Sequence, residues 1–269
     1  MPEFLLLPYM QRALLGGILV GFLASYYGVF VIQRKLSFLG SGLAHAAFGG
    51  IALGILLSIE PLWVAVPFTI IIAVAIAWVS DKTVLGGDTA VGIFFSVSMA
   101  LGIIFLFLKR TYASDAFSYL FGSILAISWN DILITSLVVL ITFFTGPLWK
   151  RWAYTSFDRE LAQSDRIPVK KDDYLLSILI ALTVVVAIKV VGIVLIAAFL
   201  VIPAAAARLI SRTFRSMTLM AITFGSGGAL VGLIASYYLD LPSGATIILL
   251  QALVFFICML IKSVLGQRK

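Results

Sequence analysis

The residue type best suited to metal chemistry occurs once in this sequence: His45 is its only histidine. It lies in Leu36-Ser-Phe-Leu-Gly-Ser-Gly-Leu-Ala-His-Ala-Ala-Phe-Gly-Gly50, at the start of a long apolar segment. Imidazole is the commonest metal ligand and titrates near neutral pH, and an ionisable group at membrane depth marks a functional site by default. On a helix, Ser41, Ala44, His45, Phe48 and Ala52 share one face. Gly42, Ala46, Gly50 and Gly54 recur every four residues and are expected to form a second face, almost bare of side chain, where a neighbouring helix approaches closely. A buried histidine bonded to a carbonyl explains the same pattern, and the residues alone leave the two readings level. Asp88 opens another apolar run, where it serves as a helix N-cap or as the carboxylate of a polar pathway. Lys189 interrupts an apolar stretch and either snorkels to the headgroups or lines a cavity. Arg208, Arg212 and Arg215 form a short basic link whose helical spacing puts them on one side; the link satisfies the charge asymmetry of membrane proteins or docks a partner.

Other chemistry is absent. A zinc-protease helix needs His-Glu-x-x-His, but His45 is followed by Ala-Ala-Phe-Gly, and no Gly-Lys-Ser/Thr phosphate loop occurs. ATP hydrolysis through that motif is therefore excluded. A proton-coupled carrier generally needs several intramembrane acids, and Asp88 is the sole candidate. A purely structural scaffold is a further alternative.

These residues are set in a chain that is 62% hydrophobic and 12% charged, with a mean hydropathy of +1.15. That composition excludes a soluble globular domain and predicts an all-α, polytopic membrane helical bundle. Continuous apolar runs argue against a β-barrel. The net charge of +7 comes from basic residues in short loops between spans, the positive-inside pattern and not a nucleic-acid groove. Cys258 lies in the last apolar run, so no disulfide framework is expected. The N-terminus lacks a basic n-region and a cleavage-like site, so the first span reads as retained.

Apolar runs fall at about 11–32, His45's own to Ser58, 62–79, 88–108, 131–148, 174–188, 190–207, 217–238 and 244–264. That gives eight or nine spans by the usual length of about 20 residues. Tyr119 to Ile127 is too short to cross and reads as re-entrant or interfacial; Lys109 and Arg110 before it break the charge rule if that loop is external. Residues 149–173 carry six basic residues and are expected in the cytoplasm, with Phe157–Ala162 lying along the interface as a helix. Glu60-Pro61 and Asp240-Leu-Pro-Ser-Gly make turns outside. Nine spans place the N-terminus outside and the C-terminus inside, in one domain covering 1–269.

Several segments resemble the zinc/manganese/iron ABC transporter permeases of the ABC-3 family. They are Leu36–Leu53, Asp88-Thr-Ala-Val-Gly-Ile, Tyr119-Leu-Phe-Gly-Ser-Ile-Leu, Phe157-Asp-Arg-Glu-Leu-Ala and, most closely, Lys189-Val-Val-Gly-Ile-Val-Leu-Ile-Ala-Ala-Phe-Leu-Val-Ile-Pro-Ala-Ala-Ala-Ala-Arg208. They follow in order from about residue 12 to 260. The resemblance implies a homodimeric permease of the vitamin-B12-importer-like (type II) architecture in a prokaryotic plasma membrane. It implies two cytoplasmic ABC ATPase subunits, which hydrolyse ATP in place of this chain, and an extracytoplasmic metal-binding protein. It also implies that the link from Arg208 through Ser211 and Arg212 to Arg215 docks on the ATPase. The cargo it implies is a divalent transition metal, with no permanently bound cofactor.

The family motif reads Gly-Asp-x-Leu-x-His, with the acid and the histidine as metal ligands one turn apart. Here Ser41 stands at the acid's position and His45 is retained, with Asp88 as a further candidate. A site of one imidazole, a hydroxyl and carbonyls suits Zn²⁺ better than the harder Mn²⁺. Weak ligation also suits a permease, which must release its ion.

Overall fold

The computed structural model describes residues 7–84, 86–109, 119–120, 122 and 127–266. Among them the regular structure is helical: α1 (Pro8–Gln33), α2 (Leu39–Leu57), α3 (Pro61–Lys82), α4 (Gly87–Lys109), α5 (Trp129–Phe144), α6 (Trp149–Phe157), α7 (Arg159–Ser164), α8 (Val169–Val191), α9 (Ile193–Ile210), α10 (Phe214–Leu239) and α11 (Ser243–Gly266). Among the described residues eight of these are long and apolar enough to cross a membrane; α5 and the segment Gly146–Phe157, bent by 48°, make a ninth if the pair is one span and a re-entrant loop if it is not. The expected run at 131–148 therefore stops early. Gly146 and Pro147 lie in a 3-10 turn where the bend occurs, because proline cannot continue the α-helical ladder.

The expected cytoplasmic stretch 149–173 holds two short helices. The interfacial helix expected over Phe157–Ala162 is divided at Asp158, whose side chain caps α7 by accepting from the Leu161 N–H at 2.9 Å. The break between α8 and α9 falls at Gly192, with φ 88° and ψ 157°. That conformation is open essentially to glycine alone, so the chain reverses there without strain. The short segment expected over 119–127 lies mostly outside the described residues.

α1 runs through the middle of the bundle, against α9, α10, α8 and α5. Close backbone approach makes this possible: a Cβ on Gly28 would collide with the Leu200 carbonyl oxygen, and one on Gly21 would sit 2.8 Å from that of Gly225. Aromatic rings then fill the half of the bundle at the C-terminal end of α1, where Phe30 meets Trp152 and Phe214 edge to face at 5.7 and 5.5 Å. Tyr27, fully buried, shares a 2.9 Å hydrogen bond with Thr142 of α5.

α2 makes an antiparallel hairpin with α3 and lies parallel to α4. The glycine row on α2 does not form the single face expected from its four-residue spacing. Gly42 packs on Val91 of α4, whereas Gly50 and Gly54 pack on Ala65 and Pro61 of α3. Each four-residue step overshoots a full helical turn by about 40°, so three steps rotate the row by about 120°. The row thus spirals from one partner to the other.

The basic residue that closes α4 also has its explanation. Lys109 Nζ donates to Ser58 Oγ at 2.5 Å and to the Leu56 carbonyl at 3.4 Å. It complements the negative C-terminal end of α2, which offsets its departure from the charge rule.

Candidate functional site

The packing of α2 leaves one strip of that helix open. Gly40 faces Ala197 of α9 and Gly42 faces α4, so Ser41, between them in helical angle, points into the gap separating those two helices. His45 follows one turn later on the same strip. Both are half-buried, whereas Gly42, Leu43, Ala44, Ala46 and Ala47 are buried. The small residues around His45 are therefore what seats α2 against its neighbours, and His45 and Ser41 are left facing outward from a tightly packed helix.

His45 Nδ1 lies 2.9 Å from the Ser41 carbonyl oxygen. A carbonyl only accepts, so Nδ1 carries the proton in the neutral ring and Nε2 holds the free lone pair. The ring also packs on Phe95 of α4, with centroids 4.4 Å apart. A backbone bond on one nitrogen and an aromatic wall on one side fix the imidazole's orientation, the arrangement that supports a metal-ligating histidine. The buried-histidine reading contributes the Nδ1 bond; it leaves Nε2 with no role.

Ser41 shares the face of His45 as expected, one turn away, and its carbonyl orients the ring. Asp88 does not join them. It is exposed in the first turn of α4, seven residues before Phe95 and hence about 10 Å nearer the start of that helix. It is also not the N-cap, because α4 begins at Gly87; its carboxylate complements the positive helix end instead. Among the described residues, no three His, Cys, Asp or Glu side chains converge to hold a metal ion.

The basic link is not one helical face. α9 ends at Ile210, half-buried Ser211 is its C-cap, and α10 begins at Phe214, capped by Thr213, whose Oγ1 accepts from the Ser216 N–H at 3.1 Å. Arg208 Nη1 donates to the Ile32 carbonyl at the end of α1 at 3.0 Å. Phe214 wedges against Trp149 and Phe157 at 5.3 and 5.6 Å. The link is thereby clamped to α1 and α6, while Arg212 and Arg215 stand exposed.

Two ion-paired groups are not evident from sequence reasoning. Lys189 does not snorkel free but lines a cavity between α3, α5 and α8, where its Nζ is 2.8 Å from Asp131 Oδ1 of α5. Asp131 also completes a capping box with Ser128, a pattern visible as Ser-x-x-Asp in the sequence. At the end of the bundle where α1 closes, Asp173 of α8 accepts from both Arg34 and Arg159. No spacing rule connects residues so far apart in the chain.

The model of the ABC 3 transport family matches residues 6–262. The chain belongs to that family. It is 36% identical over 244 residues to the high-affinity zinc uptake system membrane protein ZnuB of Haemophilus influenzae, covering 90% of this chain and 94% of that protein. It is 34% identical over 253 residues to the manganese transport system membrane protein MntC of Listeria monocytogenes, covering 94% and 90%. Among solved structures it is similar to PsaBC from Streptococcus pneumoniae in complex with Fab, with a TM-score of 0.84 and 35% identity over 95% of this chain and 94% of that one. An all-α, multi-pass membrane bundle of the ABC 3 family is thus common to the sequence, the fold and its relatives.

Proposed function

We propose that this chain is the membrane-spanning permease subunit of an ATP-driven importer of divalent transition metal, with Zn²⁺ as the favoured cargo. The observation that carries the reading is the half-buried His45, whose Nε2 is left free on the open strip of α2 while Nδ1 is held by Ser41. Family membership supports the transport class, and relatives named for zinc and for manganese bracket the cargo.

In this mechanism the ion passes along the α2 strip and is held briefly by His45 Nε2, with the Ser41 hydroxyl as a weaker oxygen ligand. A second copy of the chain, set against the gap between α4 and α9, would present the same strip from the opposite side and complete the pathway. One soft-to-borderline nitrogen and no carboxylate favours Zn²⁺ over the oxygen-seeking Mn²⁺ and lets the ion leave. The clamped link carrying Arg208, Ser211, Arg212 and Arg215 receives the force of two cytoplasmic ATPase subunits, because its seating on α1 and α6 transmits displacement into the bundle. An extracytoplasmic binding protein delivers the ion at the opposite face.

A Mn²⁺ or Fe²⁺ permease of the same family is the second reading, favoured by the manganese-named relatives. Uptake of Zn²⁺, Mn²⁺ and Fe²⁺ into proteoliposomes holding the permease with its ATPase and binding protein tests both. ATP-dependent uptake with Zn²⁺ preferred supports the proposal. Uptake driven by a proton gradient without ATP contradicts it, and preference for Mn²⁺ or Fe²⁺ replaces the cargo.

A further inference from the structure

A cavity of about 570 Å³ opens at the cytoplasmic ends of the helices, outside the His45 strip. Its walls come from the α1–α2 turn, the last turns of α3, α6 and α7, and the first turns of α8. Four cations line it, Arg34, Lys35, Arg159 and Lys170, against two carboxylates, Asp81 and Asp173, so these groups leave an excess of two positive charges. The carboxylates are fully engaged: Asp173 pairs with Arg34 and Arg159, and Asp81 with Lys170 at 2.8 Å. Lys35 is exposed and forms no ion pair among the described residues. Arg34 uses Nε on Ser156 and Nη1 on Asp173, which leaves Nη2 buried without an acceptor. Ser80 Oγ, in the same wall, is also buried and unpaired. Buried polar groups are almost always satisfied, so two orphans beside surplus positive charge point to an anion with several oxygens.

The position of the cavity says where that anion comes from. Deeper in, the walls become Ile76 and Ala77, five to six residues before the end of α3, beside Leu39 at the start of α2. The flanking outer faces carry exposed Ile71, Trp78 and Phe157, side chains suited to the acyl region and to its interface. A second cavity of about 580 Å³, lined by Trp63, Val66, Asp131, Ile134 and Lys189, lies at the opposite ends of α3 and α8 and is separate from this one. A soluble phosphate would use only the polar mouth; a phospholipid uses both the mouth and the apolar wall beneath it.

We propose that this cavity binds the headgroup of an anionic phospholipid of the cytoplasmic leaflet. Arg34 and Lys35 take its phosphate, Arg159 and Lys170 rim the mouth, and its acyl chains descend between α3 and α6. Basic pockets between membrane helices on this side of the bilayer suit such headgroups, each basic residue contributing about fivefold in affinity, equivalent to about 1 kcal/mol. The bound lipid braces the α1–α2 turn directly ahead of Ser41 and His45.

The test is native mass spectrometry of the full chain released from nanodiscs made of equimolar phosphatidylglycerol and phosphatidylcholine. The wild-type protein retains phosphatidylglycerol in preference to phosphatidylcholine, and Lys35→Gln lowers that preference about fivefold. Lys35→Gln/Arg159→Gln lowers it further, with melting in pure phosphatidylcholine showing whether the double variant is folded. If it is not, the single variant and the wild-type preference decide the question. Equal retention of the two lipids by the wild type overturns the proposal, as does an unchanged preference in folded Lys35→Gln. Displacement of phosphatidylglycerol by millimolar inorganic phosphate overturns it in favour of a free-anion site.

Discussion

Placing a carboxylate one turn before the histidine is the most informative perturbation of the proposed pathway. Ser41 and His45 occupy the same half-buried strip, and the bond that orients the imidazole uses the backbone carbonyl of residue 41, which Ser41→Asp retains. Side chains at this spacing start about 6 Å apart at Cβ, so a carboxylate there reaches an ion held at Nε2. At about 4 Å and an effective dielectric near 20, attraction is about 4 kcal/mol per unit charge, or about 8 kcal/mol for a divalent ion. Removing the carboxylate from water cancels several kcal/mol of that. A net gain of about 1–3 kcal/mol remains, about tenfold or more in affinity at about 1.4 kcal/mol per decade. Because Mn²⁺ prefers oxygen more than Zn²⁺ does, the gain is unequal. Ser41→Asp is expected to raise affinity for both ions, to shift the Mn²⁺/Zn²⁺ uptake ratio toward Mn²⁺ by the unequal part of that gain, and to slow turnover, since release becomes harder. Competition uptake by the assembled complex in proteoliposomes reads both effects. An unaltered ratio in a variant that assembles normally would refute a site shared by residue 41 and His45.

Three further outcomes follow from the geometry. Gly28→Ala forces α1 away from the Leu200 carbonyl by more than a small side-chain adjustment, and is expected to destabilise the chain by about 1–3 kcal/mol or more, read as a lower melting temperature in detergent. Asp131→Asn strips Lys189 of its counter-ion and weakens the cap of α5; a loss of about 1–3 kcal/mol in thermal unfolding is expected, and the apolar double replacement Asp131→Leu/Lys189→Met should recover part of it. Reversing the exposed charges with Arg212→Glu/Arg215→Glu should abolish co-purification with the ATPase while leaving the melting temperature unchanged, because neither side chain holds the link in place; normal co-purification contradicts the docking role.

The spans are legible in the sequence because hydropathy and length act locally: the break at Gly192 and the proline-started α3 both follow from residues at those positions. The face of His45 is also legible, since helical periodicity places Ser41 beside it whatever the helix packs on. The glycine row is not, because a four-residue repeat drifts around the helix, and only the positions of α3 and α4 decide which glycine meets which neighbour. Asp88 is separated from the site by about 10 Å of helix rise, a distance set by the register of α4 on α2 and not by either segment alone. The Lys189–Asp131 and Arg34–Asp173 pairs join residues brought together by the bundle, so neither partner announces the other. The tautomer of His45 depends on a single backbone bond that no residue pattern specifies.

The central claim is that Nε2 of His45 carries the ion, and substitution of that residue in the assembled importer tests it most directly. His45→Gln keeps an amide N–H able to meet the Ser41 carbonyl but removes the imidazole lone pair, whereas His45→Ala removes both. ATP-driven Zn²⁺ uptake by proteoliposomes holding either variant with its partners should fall to background, while dimer assembly and ATPase binding persist. Wild-type uptake by His45→Gln would show that the histidine serves packing alone, and would contradict the account.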